Sequence, residues 1–167
     1  MKKLLLAVFM GLGMQAMAQD SAQVKTITYQ NYPSFPGFEL RHTDSTAFNT
    51  HSIPKKNKQT VLIYFSPTCG HCQHQAEEIT GHIGEFKNVN FLFVSAYPLE
   101  EIQKFAATYA MDKFKNITVA YDPESKMVRF LEIRSLPGIY IYDKKRKFKK
   151  AFSTNQLTAD LVNALKS

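Results

Sequence analysis

The sequence predicts one α/β domain built on a central mixed sheet flanked by helices. Two observations carry that prediction. The nearly uninterrupted apolar runs Val61-Leu62-Ile63-Tyr64-Phe65 and Val89 to Ala96 read as strands covered on both faces, and each leads into a helical pattern. The chain then closes with two extended segments, Gly138 to Tyr142 and Lys147 to Phe152, and a helical stripe of Leu157, Leu161, Ala164 and Leu165. Strands alternating with helices and ending in a hairpin and a helix require parallel and antiparallel pairings in one sheet.

Residues 1–18 read as a cleaved secretory signal peptide. Lys2 and Lys3 form a basic start, Leu4 to Gly13 a short apolar stretch, and Ala16-Met17-Ala18 a small-residue cleavage site. The apolar stretch is too short to span a bilayer unaided. Gln19 follows the site in place of a lipid-accepting cysteine, so the expected product is exported, periplasmic in a Gram-negative cell, with no stable membrane anchor.

Residues 19–37 read as an extended lead-in, with a candidate strand from Val24 to Tyr29 before Pro33 and Pro36, and 38–167 as the domain proper. Phe38 to His42 alternates as a strand does, Asp44 to Thr50 turns and returns, and Ser52 to Lys58 reads as a polar loop. After the strand Thr60 to Phe65, a first helix runs to about Gly81 to Gly84. Pro98 stands at a helix first position, with Glu100 and Glu101 in the first turn and Leu99, Ile102, Phe105, Ala106 and Tyr109 facing inward. Ile117 to Tyr121 is a third covered strand and Pro123 to Leu131 a short helix.

The net charge of +7 includes Lys2 and Lys3, so the mature chain is mildly basic. Much of the excess lies in Lys144-Lys145-Arg146-Lys147 and Lys149-Lys150. That run reads as a solvated turn and a charged edge strand that discourages edge pairing, ahead of any anionic lipid or acidic partner, and nothing points to nucleic acid.

The chemistry is concentrated at the first strand-to-helix junction, where Ser66-Pro67-Thr68 delivers both cysteines of the chain in Cys69-Gly70-His71-Cys72. With the helix starting near Cys69, residues Cys72, Ala76, Ile79 and Ile83 share one inward stripe. Cys69 lies one turn earlier, where unsatisfied N–H groups and the helix dipole favour a thiolate below the ordinary cysteine range. An exposed, activated thiol beside a sheltered one within disulfide reach is what attack and resolution require. A purely structural disulfide explains the spacing less well, because so small a loop constrains the unfolded chain little.

With these elements in order, the chain resembles the thioredoxin-fold proteins at two loops, Ser66 to Cys72 and Ser135-Leu136-Pro137-Gly138. The helix and strand between them, Pro98 to Tyr121, and the N-terminal hairpin Phe38 to Thr50 make it most similar to exported TlpA-like thiol-disulfide oxidoreductases. The resemblance implies that Cys69 attacks, Cys72 resolves, Pro137 is the family's cis-proline, and the Leu136 backbone pairs with an extended substrate segment. It also implies protein substrates, a membrane-bound thiol redox partner and no bound cofactor. The dipeptide is that of protein disulfide isomerases, and Thr68, Gly70 and His71 would tune the thiolate. A hydrogen bond or charge from His71 would stabilise it and make the disulfide more oxidising, whereas the TlpA-like pattern favours reduction.

The chain departs from the family at several points. Thr68 stands where a tryptophan is common, and Ile63 where thioredoxins carry a buried acid six positions before the first cysteine. Glu77 replaces the proline of the active-site helix, and Gly138 the threonine that often follows the cis-proline. His74, Glu78 and His82 are spaced four apart and invite a zinc reading, but they lie off the Cys72 stripe and read as a solvated face with no metal. Gln73 directly follows Cys72, where a c-type haem signature requires histidine. Two other classes remain. A thiol peroxidase would resemble Pro-x-x-x-Thr-x-x-Cys, whereas Pro67 and Thr68 directly precede Cys69; a binding module would use the Leu136-Pro137 groove without turnover.

Overall fold

The computed structural model describes residues 30, 34–54 and 58–167. The expected leader, the candidate strand Val24 to Tyr29 and part of the loop Ser52 to Lys58 lie outside the described residues. The elements are β1 (Glu39–His42), β2 (Ala47–Asn49), β3 (Gln59–Tyr64), α1 (Gly70–Gly81), β4 (Val89–Ser95), α2 (Leu99–Thr108), β5 (Ile117–Tyr121), α3 (Lys126–Leu131), β6 (Gly138–Tyr142), β7 (Phe148–Phe152) and α4 (Thr158–Lys166).

One sheet joins all seven strands in the order β2-β1-β5-β4-β3-β6-β7. Strands β3, β4 and β5 are parallel, whereas β6 runs antiparallel to β3, and β1 to β5. The mixed α/β sheet with its N-terminal hairpin is the fold read from the sequence.

Alternation along the strands divides the core. Val61, Ile63, Phe65, Phe91, Phe93, Ile139 and Ile141 face α1, α2 and α4, meeting Cys72, Ala76, Ile79, Ile102, Phe105 and Leu161. Leu62, Tyr64, Leu92, Val94, Tyr140 and Tyr142 face the opposite layer of Met127, Phe130, Leu131, Phe35, Leu40 and Ile53. Each fully buried side chain of this size contributes roughly 1.5–3 kcal/mol. The two ion pairs among the described residues, His74–Glu77 and Lys126–Glu124, are exposed, and such pairs contribute about 0–1 kcal/mol each. Burial on the two sheet faces therefore dominates, and it fixes β3 and β4 as the rigid floor of the site.

Four details differ from the sequence reading. Pro98 is the N-cap of α2 rather than its first residue. The third helix starts at Lys126, because the buried Asp122 carboxylate accepts the Lys126 and Met127 N–H groups at 3.1 and 2.9 Å and so sets the first turn there. Leu157 precedes α4 as its N-cap and is 55% exposed instead of joining the apolar stripe.

The fourth is in the basic run. Lys144, Lys145 and Lys147 are exposed on the turn before the edge strand β7, as expected, but Arg146 is buried. Its guanidinium donates to the carbonyls of Thr50 and Ile53 and lies 5.0 Å from the Phe35 ring centroid. The residue is an anchor between the final hairpin and the N-terminal part of the chain, a role that charge counting does not reveal. Among the described residues no helix is long and apolar enough to cross a membrane.

Candidate active site

At the end of β3 the Phe65 N–H donates to the Val94 carbonyl at 2.9 Å, keeping the chain in the sheet until Ser66 and Pro67, both buried. A turn follows in which Cys69 N–H donates to the Ser66 carbonyl at 3.2 Å. Cys69 is the N-cap of α1, in extended conformation, and its carbonyl accepts the Cys72 and Gln73 N–H groups at 2.9 and 3.0 Å. No side chain caps this helix start. The positive end of α1 is therefore left to whatever anion occupies the position of the Cys69 sulfur.

The two thiols are sharply different. Cys69 is partly exposed, whereas Cys72 is 1% exposed, and both are free. Burial pushes the Cys72 thiol up to about 12, a backbone hydrogen bond from Ser66 works against this, and the neighbouring Cys69 adds to it by hydrogen bond and charge. Cys72 therefore keeps its proton at neutral pH. Ile63, read from the sequence as standing where thioredoxins carry a buried acid, is fully buried in the same apolar cluster as Cys72.

The second loop meets the first. The Leu136–Pro137 peptide bond is cis and Pro137 is buried. The Cys69 thiol points at the Leu136 carbonyl, 3.9 Å away. Among the described residues nothing accepts the Leu136 N–H, so this backbone can meet an extended chain. Gly138 has a local cause: a Cβ there would lie 3.1 Å from Cε2 of Tyr140, whose hydroxyl is tied to the Leu131 carbonyl at 2.7 Å. Between the first loop and α2 a groove of about 340 Å³ is lined by Pro67, Thr68, Gln73, Glu101, Lys104 and Tyr109, among others.

The structure thus brings Cys69, Cys72, Leu136 and Pro137 together. Thr68 is exposed, with its hydroxyl 3.1 Å from Ser66 Oγ and no bond to sulfur. Gly70 faces open space, so a side chain there meets nothing within 4 Å. His71 is exposed and its Nδ1 lies 3.0 Å from Asn155 Oδ1. The residues of the zinc reading diverge. His74 pairs with Glu77 at 3.7 Å, His82 Nδ1 faces the Glu78 carbonyl at 3.0 Å, and the Glu78 carboxylate accepts the Thr158 N–H at 2.8 Å. That N–H and the Thr158 hydroxyl hold the Glu78 carboxyl below its usual range.

Sequence reasoning missed Gln75, Asn155 and Gln156. Gln75 is fully buried on α1 and accepts the Gln156 N–H at 2.6 Å. The available signal was the stripe His71, Gln75, Glu78, spaced i, i+4, i+7 beside the apolar one. It does not say which distant segment it meets.

The comparisons agree with this architecture. The model of the AhpC/TSA family matches residues 33–151. No curated protein matches the sequence. Among solved structures, a secreted Mycobacterium tuberculosis disulfide oxidoreductase homologous to E. coli DsbE aligns with a TM-score of 0.65 at 16% identity, over 77% of this chain and 94% of that one. Peroxidoxin BcpB from Mycobacterium tuberculosis aligns at 0.67 and 16% identity, over 80% and 94%. A putative thiol:disulfide interchange protein DsbE from Chlorobium tepidum aligns at 0.63 and 18%, over 79% and 95%. Likeness at this identity establishes a shared thioredoxin-like fold. By its sequence the chain belongs to the AhpC/TSA family.

Proposed function

We propose that this protein is an exported thiol-disulfide oxidoreductase of TlpA-like type, working as a reductase through a Cys69–Cys72 dithiol-disulfide cycle. The observation that carries the reading is the pairing of an accessible thiol at an uncapped helix start with a buried, proton-holding thiol, across from the Leu136–Pro137 loop. The Cys69 thiolate attacks one sulfur of a substrate disulfide, and the Leu136 backbone aligns the substrate segment beside it by strand addition. A mixed disulfide forms between Cys69 and the attacked sulfur, and the other substrate sulfur leaves as a thiolate that takes a proton from solvent. Cys72 then attacks the Cys69 sulfur, its proton passing to the departing substrate thiolate, and the Cys69–Cys72 bond closes. Two electrons have moved to the substrate, which is released as a dithiol.

Export, after removal of residues 1–18, belongs to the same proposal. A domain outside the cytosol needs a membrane-bound thiol donor to return to the dithiol form. That a disulfide oxidoreductase of the same fold is secreted supports export, and leaves the direction of electron flow to the experiment. The test is a single turnover: the reduced protein mixed with a disulfide-bonded protein such as insulin yields one reduced substrate disulfide per protein, and Cys69→Ser yields none. A failure of the wild type to reduce any protein disulfide would overturn the reading.

Membership of the AhpC/TSA family favours a second reading, thiol peroxidase. Against it, the Thr68 hydroxyl is joined to Ser66 and not to the sulfur, and Pro67 and Thr68 adjoin Cys69 without the spacing of a peroxidatic pocket. Peroxide consumption faster than protein-disulfide reduction would reverse the preference.

A further inference from the structure

The segment 153–158, between β7 and α4, is tied to both active-site loops. His71, Gln75 and Glu78 of α1 each bond to it: His71 Nδ1 lies 3.0 Å from Asn155 Oδ1, Gln75 Oε1 accepts the Gln156 N–H at 2.6 Å, and Glu78 Oε2 accepts the Thr158 N–H and hydroxyl at 2.8 and 2.9 Å. From the second loop, the Ser135 hydroxyl donates to the Ser153 carbonyl at 2.7 Å. Gln75 is fully buried, so its end of the partly buried bond to Gln156 is shielded from water, which strengthens the tie. Asn155 is therefore presented to His71 from a fixed backbone.

The carboxamide oxygen of Asn155 also faces the Thr154 hydroxyl at 3.3 Å, and it accepts only. Facing that oxygen, the His71 ring completes the bond when it carries its hydrogen on Nδ1. No hydrogen bond joins His71 to either sulfur among the described residues. We propose that Asn155 is a positioning residue that holds His71 away from Cys69, making the Cys69–Cys72 disulfide less oxidising than the Cys-Gly-His-Cys sequence alone would make it. This inference rests on the dithiol reading above.

The chemistry is an equilibrium in which the protein disulfide takes two electrons and two protons from two glutathione thiols, giving the protein dithiol and one glutathione disulfide. Any group that stabilises the Cys69 thiolate draws this equilibrium toward the dithiol. An imidazole N–H directed at the sulfur is such a group. Engaged with Asn155, it is withheld.

Wild type, Asn155→Ala, His71→Ala and the double variant are equilibrated in glutathione buffers, with free thiols trapped and counted. Three ties of the segment survive in Asn155→Ala, so the fold is retained. The expected result is a roughly tenfold increase in the dithiol-to-disulfide equilibrium constant for Asn155→Ala, equivalent to about 30 mV for this two-electron couple. The double variant should match His71→Ala, because without the ring Asn155 has nothing to position. Nitrogen-15 spectra of the His71 ring should show the hydrogen on Nδ1 in wild type and a loss of that restriction in Asn155→Ala. An Asn155→Ala constant equal to wild type, or a shift that persists without His71, overturns the inference and leaves the dithiol reading standing. A wild-type pair that never cycles overturns both.

Discussion

The Cys69 sulfur lies 3.9 Å from the carbonyl oxygen of Leu136, so the proposed nucleophile touches the loop proposed to align its substrate. The two residues are far apart in sequence and arrive together because β3 and β6 are direct neighbours, with Tyr64 opposite Gly138. The strand β3 ends at Tyr64, one short loop before Cys69, and β6 starts at Gly138, directly after Pro137. The sheet register thus builds the site.

If Cys69 attacks and Cys72 resolves, removing the second step should trap the first. Cys72→Ser mixed with a disulfide-bonded protein should accumulate a covalent adduct at Cys69 that dithiothreitol releases, visible by non-reducing electrophoresis and mass spectrometry. Cys69→Ser should give none at the same protein concentration.

The Cys72 thiol, pushed up to about 12 by burial, gives a pH signature. The folded state keeps this proton where the unfolded chain, near 9, has lost it. The stabilisation is complete below about pH 9 and declines as pH rises toward 12. In denaturant titrations, Cys69→Ala should lose stability over that window more steeply than Cys69→Ala/Cys72→Ala. Parallel curves would show that Cys72 is not sheltered.

Glu78 joins α1 to the start of α4 through Thr158. Glu78→Ala removes an acceptor at a helix start and should cost about 1 kcal/mol, the usual scale for losing such a cap. Because the carboxyl is held below its usual 4.5, its contribution is present above that pH and is lost as pH falls through the lower folded value. The stability gap between wild type and Glu78→Gln, measured by urea unfolding, should therefore narrow in acid.

Placing a threonine at position 138 should harm this chain. The added Cβ would lie 3.1 Å from the Tyr140 ring, and Tyr140 is held by its hydroxyl and by burial. Gly138→Thr should destabilise by about 1–3 kcal/mol, the range for overpacking a core. An unchanged thermal midpoint would mean that the Tyr140 ring moves aside freely.

Much of this was legible in the sequence because it depends on local pattern. The apolar runs of β3 and β4 need only covered faces, and the stripe through Cys72, Ala76 and Ile79 needs only helical periodicity. Those signals placed both cysteines on their elements. What escaped depends on partners distant in sequence. Arg146 looks like one more cation in a basic turn until the carbonyls of Thr50 and Ile53 are brought to it. Gln75 looks like a surface residue until the Gln156 backbone arrives, and His71 looks directed at Cys69 until Asn155 takes its hydrogen bond. Polar groups that satisfy one another across the fold carry no periodicity.

The measurement that bears most directly on the central claim is the reduction potential of the Cys69–Cys72 pair in the chain 19–167, by equilibration with glutathione or dithiothreitol and trapping of free thiols. The account predicts a reversible two-electron couple toward the reducing end occupied by thioredoxin, roughly −270 mV. A value of about −180 mV or higher would contradict the reductase direction. A pair that never interconverts between dithiol and disulfide would contradict the redox function altogether.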